Sequence, residues 1–327
     1  MSIKTYAMAI RDTMAEEMRR DHRVFIMGED VETLGGVFGC TKDLYKEFGT
    51  ERVRNTPISE AGFVGAGIGA ACAGMRPIVE LMYMDFTFVA MDQLLNQAAK
   101  TRYIFGGNAK IPLVIRGQQG IGRGNAATHS QSVETFFMHI PGLKVACPST
   151  PADAAGLLRT AIRDDNPVMF FEHKALYARK GDVPDDPEYL IPFGKADVKR
   201  AGTDVTIVTN LLYVSRALEA ADELEKEGIH AEVIDPRTLV PLDIDTIIES
   251  VKKTGRLVVV HEAHRNAGWG AEIAAQVTEA AFPYLDAAPV RLGTAPCPLP
   301  FNLGLENAAT PQVADIIKAA KAVLYQA

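Results

Sequence analysis

The sequence contains little that would favour a nucleic acid, a membrane or a secretory pathway. Its 34 lysine and arginine residues are outnumbered by 41 aspartate and glutamate residues, which gives a net charge of −7. This balance argues against nucleic acid or an anionic membrane surface as the main partner. The apolar runs are short, and the N-terminal segment lacks the uninterrupted apolar core of a signal peptide. We therefore expect no membrane association.

Cysteine is also scarce. Cys40, Cys72, Cys147 and Cys297 share no C-x-x-C spacing and lie in unrelated contexts. Zinc ligation and a disulfide framework are both disfavoured, and we expect reduced thiols in a cytoplasmic protein. With 327 residues, of which 47% are hydrophobic, the chain is long enough for two domains with large buried cores.

What the sequence does contain is a regular alternation of short apolar runs and amphipathic stretches. This alternation is typical of a parallel sheet covered by helices. In the first half, strands are predicted at 23–27, 76–82, 111–116, 143–147 and 168–171, and helices at 6–20, 60–74, 86–105 and 152–163.

The alternation lapses between residues 173 and 202, where prolines and an acidic cluster predict a linker. It then resumes toward the C-terminus. Strands are predicted there at 204–209, 230–235 and 256–261, and helices at 214–227, 244–253 and 314–325. The sequence therefore predicts an α/β protein with two domains, residues 1–187 and residues 188–327.

A carboxylate opens an unusual helical segment. Glu60 follows Pro57 and Ser59 and precedes a stretch with five glycines between residues 62 and 74. Ser59 is expected to cap the helix, and an acidic group is favoured in the first turn. Each glycine costs about 1 kcal/mol of helix stability, which is tolerable where a second backbone or a flat cofactor approaches closely. Both a ligand-binding Glu60 and a plain capped helix at a packing seam remain open.

Other candidate site residues follow predicted strands, where parallel sheets collect their ligands. His129 lies in a glycine-rich loop after the strand at 111–116, and histidine can exchange a proton near neutral pH; it would be either an active-site residue or a plain surface-loop histidine. Glu29 follows the first strand and would emerge at the same sheet edge as Glu60, where carboxylates perturb each other's pKa; a solvated acid in a turn is the equally open alternative. Met82 and Phe86 flank another strand end, where they would either contact a planar ligand or pack in the core.

Taken together, these segments resemble one family, the beta subunits of the thiamine-diphosphate-dependent decarboxylase component of 2-oxo acid dehydrogenase complexes. The resemblance covers nearly the whole chain and includes Thr56-Pro-Ile-Ser-Glu60, His129-Ser-Gln131 and Glu232-Val-Ile-Asp-Pro-Arg-Thr238. It is strongest toward the acetoin dehydrogenase and pyruvate dehydrogenase beta subunits, as in Ile140-Pro-Gly-Leu-Lys144. The short segment 32–37 departs from the longer glycine-rich insert of acetoin enzymes, so branched-chain 2-oxo acids also remain possible substrates.

The resemblance implies two doubly wound domains, a pyrimidine-binding thiamine-diphosphate domain followed by a transketolase C-terminal-like domain. Glu60 matches the glutamate that hydrogen-bonds the aminopyrimidine ring, and His129 matches a histidine that assists proton handling and acyl transfer to lipoamide. Glu29, Met82 and Phe86 match the cofactor-binding positions. A structural potassium site is matched by Leu113, Ala161, Ile162, Asp164 and Asn166, although residues 164–166 could equally form a plain turn.

One expected motif is missing. The superfamily holds magnesium and the cofactor diphosphate with Gly-Asp-Gly, which does not occur here; Gly181-Asp182-Val183 fails at the third position. The resemblance therefore implies that an alpha subunit supplies the magnesium half-site in an α2β2 assembly docked on a lipoyl-bearing acyltransferase core. The implied activity is an oxidoreductase that acylates lipoamide from acetoin or a 2-oxo acid. A split transketolase-like enzyme acting on sugar phosphates, or a non-catalytic subunit, are the alternatives.

Overall fold

A computed structural model describes residues 1–326, which form two compact units. The first unit comprises Met1–Gly120 and Phe136–Phe193, and the second comprises Ile121–Thr135 and the chain from Gly194 onward. The predicted domain boundary lies after residue 187, whereas the first compact unit extends to Phe193. In addition, residues 121–135 leave the first unit and belong to the second.

The strands and helices alternate along the described chain. The strands are β1 Ser2–Thr5, β2 Val24–Gly28, β3 Val53–Asn55, β4 Arg76–Leu81, β5 Val114–Gln119, β6 Lys144–Ala146, β7 Val168–His173, β8 Lys180–Val183, β9 Asp197–Arg200, β10 Val205–Val208, β11 Ala231–Asp235, β12 Thr238–Val240, β13 Leu257–His264 and β14 Val290–Thr294. The α-helices are α1 Tyr6–Arg20, α2 Leu44–Phe48, α3 Glu60–Cys72, α4 Ala99–Ile104, α5 Glu134–Met138, α6 Pro151–Arg163, α7 Leu212–Glu225, α8 Ile244–Thr254, α9 Trp269–Ala281, α10 Leu303–Ala309 and α11 Val313–Val323.

In the first unit the strands lie in the order β6-β7-β5-β4-β2-β3, and each neighbouring pair is parallel. The strands β2, β5 and β7 are buried along their whole length, as expected for a sheet covered on both faces. Helices α1 and α6 pack against each other. The strands β1 and β8 form a separate antiparallel pair.

Helix α3 begins at Glu60 as the sequence predicts, but its cap differs from the prediction. Ser59 precedes the helix without making a side-chain capping hydrogen bond. The helix lies close to the sheet at Gly67, where an added Cβ would be 2.7 Å from Cγ2 of Val79. At Gly69, by contrast, an added Cβ would meet no atom within 4 Å. Only part of the glycine content is therefore explained by packing within this chain.

The helix predicted over 86–105 is wrong as a single α-helix. The segment instead contains a 3-10 helix at Met84–Phe88, a π-helix at Gln93–Ala98 and the short helix α4. The aromatic and β-branched residues near its start favour helix poorly. The Thr87 hydroxyl also donates a 2.7 Å hydrogen bond to the Met84 carbonyl, which stabilises the tighter turn.

The second unit contains the sheet β14-β13-β10-β11-β9. The pairs β10–β11, β10–β13 and β13–β14 are parallel, whereas β9 is antiparallel to β11 at the edge. Helices α7 and α11 contact each other, as do α8 and α9. The predicted linker at 173–202 was wrong in part, because it contains the strands β8 and β9. The prediction of two α/β domains is confirmed.

No helix among residues 1–326 has the length and hydrophobicity that crossing a bilayer would require.

Candidate active site

Three neighbouring parallel strands of the first unit deliver the candidate residues to one sheet edge. β2 pairs with both β3 and β4, and Gly28 at the end of β2 lies opposite Asn55 and Glu80. The Thr56 amide donates a 2.9 Å hydrogen bond to the Gly28 carbonyl, so the chain leading to α3 stays close to the end of β2. This sheet edge is formed by the carboxyl ends of the strands, which is where parallel α/β sheets bind ligands.

Glu29 and Glu60 form a pair of buried carboxylates at this edge. Glu29 is 5% exposed and Glu60 is 7% exposed. Burial, followed by the charges of Glu60 and Asp30, raises the pKa of Glu29 to about 7. Within residues 1–326, Oε1 of Glu29 is buried without a hydrogen-bond partner, and neither carboxylate has a cationic partner. Burying such groups unpaired is costly, so this arrangement is suited to a ligand that supplies hydrogen-bond donors.

Met82 and Phe86 lie beside the end of β4. Met82 follows that strand directly and precedes a cis peptide bond to Tyr83, and Phe86 belongs to the 3-10 helix Met84–Phe88. Both side chains are half-buried. The ammonium of buried Lys174 lies 5.4 Å from the Tyr83 ring centroid, a cation–π contact that helps to hold this segment in place.

A buried ionic cluster, which the sequence analysis did not identify, joins three strands near the same edge. The Arg116 guanidinium on β5 donates to the carboxylates of Glu80 on β4 and Glu172 on β7. The Tyr177 hydroxyl donates to Glu172 over 2.6 Å. Arg116 and Glu172 are fully buried. The sequence signal for this cluster is the presence of charged residues inside otherwise apolar strands, as in Ile78-Val79-Glu80-Leu81.

His129 lies in the second unit, on the loop that follows β5. The residue is half-buried, and its Nδ1 is 2.9 Å from the Thr128 hydroxyl. The first unit thus brings Glu29, Glu60, Met82 and Phe86 to one sheet edge, while His129 is held by the other unit.

The five residues proposed for potassium are gathered where β5 and β7 begin and α6 ends. The Leu113 carbonyl accepts a 2.9 Å hydrogen bond from the Val168 amide. The Asp164 carboxylate accepts 2.8 Å hydrogen bonds from the backbone and side-chain nitrogens of Asn166, so the 164–166 segment is also a self-bonded turn.

Two cationic side chains contact the same group of oxygens. The Arg76 guanidinium donates to the carbonyls of Ile162 and Asp164 over 2.9 and 2.8 Å. Lys144 forms an ion pair with the Asp164 carboxylate. Each carbonyl retains a second lone pair for a hard cation, but the positive charge of Arg76 and Lys144 reduces the attraction that potassium would feel.

No cluster of three or more His, Cys, Asp or Glu side chains in residues 1–326 is arranged to hold a metal ion.

Each half of the chain matches a known protein family. The family described as the transketolase pyrimidine binding domain matches residues 3–180. The family described as the transketolase C-terminal domain matches residues 194–316. Among solved structures, the chain resembles one titled "Split gene transketolase, inactive beta4 tetramer", with a TM-score of 0.79, 22% identity and 98% coverage of each chain. That likeness supports the fold.

Sequence comparison also identifies similar proteins along nearly the whole chain. The chain is 48% identical over 326 residues to the pyruvate dehydrogenase E1 component subunit beta of Rhizobium meliloti (strain 1021), covering 100% of this chain and 71% of the relative. It is 51% identical over 331 residues to the acetoin:2,6-dichlorophenolindophenol oxidoreductase subunit beta of Cupriavidus necator, covering 98% and 96%. It is 50% identical over 293 residues to the 2-oxoisovalerate dehydrogenase subunit beta of Bacillus subtilis (strain 168), covering 89% of each. The chain therefore belongs to the family of thiamine-dependent dehydrogenase beta subunits, built from the transketolase pyrimidine-binding and C-terminal domains.

Proposed function

We propose that this chain provides the pyrimidine side of a thiamine diphosphate site in an acetoin or pyruvate dehydrogenase component, which passes an acyl group to lipoamide. The observation that carries the proposal is the buried carboxylate of Glu60 at the first turn of α3, adjacent to Glu29 and without a cationic partner in residues 1–326. A branched-chain 2-oxo acid is the alternative substrate.

The donor set at this edge fits the aminopyrimidine end of thiamine diphosphate. Thiamine diphosphate, when bound here, would supply a thiazolium carbon that is acidic enough to lose its proton and act as a carbon nucleophile. Glu60 would share a proton with a pyrimidine ring nitrogen, and a hydrogen bond to a charged group contributes about 1.5–3 kcal/mol. Glu29, with its pKa raised to about 7, can hold a proton near neutral pH and so can donate or accept at the same ring. Half-buried Met82 and Phe86 offer apolar surface for a flat ring.

His129 has a different role in the proposal. Its ring is half-buried on the loop of the second unit, with Nδ1 close to the Thr128 hydroxyl. Imidazole is suited to move a proton near neutral pH. We assign it to proton handling during acyl transfer to the lipoyl group of an acyltransferase core.

The names of the relatives imply an alpha subunit, and in the proposal that subunit holds magnesium and the cofactor diphosphate within an α2β2 assembly. The glycine-rich face of α3 is the part of this chain assigned to close subunit packing. Gly62, Ala66 and Gly69 are exposed on it, and Gly69 leaves open space that a partner backbone could enter. We propose a cytoplasmic location for the assembly.

Glu60→Gln tests the carboxylate directly. With the alpha partner present, this variant should assemble normally but lose roughly 10²–10⁴-fold in thiamine-dependent turnover, the usual worth of positioned proton transfer. Glu51→Gln serves as the control, because Glu51 is exposed and pairs with Arg54 at the surface. Near-normal turnover of Glu60→Gln would remove Glu60 from this role.

The substrate assignment needs a separate assay. The relatives named for pyruvate, acetoin and 2-oxoisovalerate are similar to this chain to nearly the same degree, at 48%, 51% and 50% identity. The reconstituted assembly should therefore be assayed with all three substrates and with lipoamide as acceptor. The proposal expects the highest kcat/KM with acetoin or pyruvate. Preference for 2-oxoisovalerate would establish the branched-chain alternative, and lipoamide-independent turnover of a sugar phosphate would exclude both.

A further inference from the structure

The loop that carries His129 is clasped by a buried carboxylate of the second unit. Glu262, on β13, is 7% exposed. Its Oε1 accepts a 2.9 Å hydrogen bond from the Ile121 amide and a 2.8 Å hydrogen bond from the Ser132 hydroxyl. Ile121 and Ser132 lie on either side of His129 in the sequence. One carboxylate oxygen thus joins the two ends of the 121–132 loop.

A second carboxylate supports the same loop near its start. Glu306, on α10, is fully buried, and its Oε2 accepts a 2.9 Å hydrogen bond from the Gly122 amide. Gly124 has a positive φ of 60°, and an added Cβ there would lie 2.6 Å from the Phe301 carbonyl oxygen. The loop therefore rests against the chain that leads into α10.

These contacts determine how freely the loop can move. A glycine-rich loop that is held only at its strand end would sample many conformations, and closing it costs entropy. Hydrogen bonds to a buried carboxylate are stronger than those between neutral groups. Because Glu262 bonds both ends of the loop, it reduces the number of backbone arrangements open to residues 121–132, and therefore to His129.

The geometry points to Glu262 as a positioning residue for His129, with Glu306 as a supporting residue. Glu262 touches neither cofactor nor substrate in this inference; it holds the loop so that the imidazole is correctly placed for the acyl-transfer step. The inference rests on the role proposed for His129. It predicts that loss of Glu262 mimics loss of His129, although the imidazole itself is intact.

Amide hydrogen exchange tests, independently of activity, whether the hydrogen bonds of Glu262 with Ile121 and Ser132 hold the loop. In the assembly with the alpha subunit, Glu262→Ala should accelerate exchange in peptides covering residues 121–132, because the Ile121 amide loses its acceptor. Glu262→Gln keeps an acceptor oxygen and should retain most of the protection. Ser132→Ala, which removes one of the two donors, should show an intermediate effect and remains available if Glu262→Ala does not assemble. Glu272→Ala is the control, since Glu272 is exposed on α9.

A double-mutant cycle then separates positioning from general destabilisation. Displacing a catalytic group by about 1 Å can cost about 10²-fold, so Glu262→Ala should lower lipoamide-linked turnover by roughly 10- to 100-fold. Turnover with the artificial acceptor 2,6-dichlorophenolindophenol should fall much less. In a His129→Ala background, Glu262→Ala should cause no further loss of lipoamide-linked turnover, because the group through which it acts is already absent. Glu262→Gln should restore most of the activity.

The outcomes separate the role proposed for His129 from the positioning role inferred for Glu262. If His129→Ala transfers acyl groups to lipoamide at the normal rate, the proposed role of His129 fails. If His129→Ala is impaired but Glu262→Ala causes an additional, independent loss in that background, the positioning role of Glu262 is wrong while the proposed function stands. Unchanged hydrogen exchange at 121–132 in both Glu262→Ala and Ser132→Ala would also show that Glu262 does not restrain the loop.

Discussion

Replacing Glu29 with glutamine should stabilise the cofactor-free protein much more at neutral and alkaline pH than near pH 5. Glu29 is buried beside Glu60 and Asp30, and burial together with these charges raises its pKa from the ordinary 4.5 to about 7. Ionising this carboxyl group is therefore unfavourable in the folded state. Glutamine has nearly the same shape and does not ionise.

The sign and size of the effect follow from proton linkage. Between pH 4.5 and about 7 the folded state retains the Glu29 proton, whereas the unfolded state has lost it. The free energy of unfolding therefore decreases as pH rises through this window. At about 1.36 kcal/mol for each tenfold change in acidity, the whole window corresponds to roughly 3 kcal/mol. Glu29→Gln lacks this penalty, so its advantage over the natural protein should grow with pH and level off above about pH 7.

The assay is thermal unfolding of the cofactor-free assembly at a series of pH values between 5 and 8. For a domain of this size each kcal/mol shifts the melting temperature by about 2–4 °C, so the gap between Glu29→Gln and the natural protein should widen by several degrees. Glu51→Gln controls for a change of charge at an exposed site. A gap that stays constant over this pH range would refute the reasoning, because Glu29 would then ionise normally and would not be a buried, unpaired acid.

Three further predictions concern stability. Arg116→Ala should destabilise the protein by about 3–5 kcal/mol, measured by denaturant unfolding, because it leaves the buried carboxylates of Glu80 and Glu172 uncompensated. Gly142→Ala should cost well over 1 kcal/mol, since Gly142 has a φ of 104° and its added Cβ would lie 2.0 Å from a backbone carbonyl oxygen of α4. Potassium, compared with sodium at equal ionic strength, should raise the melting temperature of the natural protein and not that of Asp164→Ala; no ion dependence would argue for a plain turn.

Much of the architecture could be predicted because local pattern and tertiary environment agree. Helix α1 was predicted with its observed bounds, and Thr5 caps it by accepting a hydrogen bond from the Met8 amide. Strand β7 begins with the predicted apolar run at 168–171 and is buried throughout, as a parallel strand covered on both faces requires. In such segments propensity, periodicity and burial all favour the same structure.

The errors fall where tertiary contacts override local pattern. Strands β8 and β9 lie within the predicted linker, and they are stabilised by pairing with β1 and β11. Such edge strands are short and polar, so their own sequence gives little indication of them. Similarly, the broken helix between residues 84 and 104 depends on a local bond from Thr87 that no apolar periodicity reveals.

In the candidate site, too, some residues could be predicted from the sequence and others could not. Glu60 could be singled out because an acidic residue before a glycine-rich helix is unusual in itself, and the structure places it beside Glu29. Glu262 and Glu306 could not be found as loop anchors, because their hydrogen bonds join residues more than a hundred positions apart. That information becomes available when the second sheet and α10 are placed against residues 121–135.

The neighbouring acidic residues of the same sheet favour a ligand at Glu29 and Glu60. Glu80 and Glu172 are equally buried, and Arg116 forms an ion pair with each of them. The fold thus contains a buried arginine on β5, two strands from β2, yet Glu29 and Glu60 have no cationic partner among residues 1–326. If Glu29 and Glu60 had only a structural role, we would expect a cationic or hydrogen-bond donor partner to compensate their burial, as Arg116 does at Glu80. Leaving two acids unpaired lowers stability, and this cost is understandable if the missing donors arrive with a bound aminopyrimidine ring.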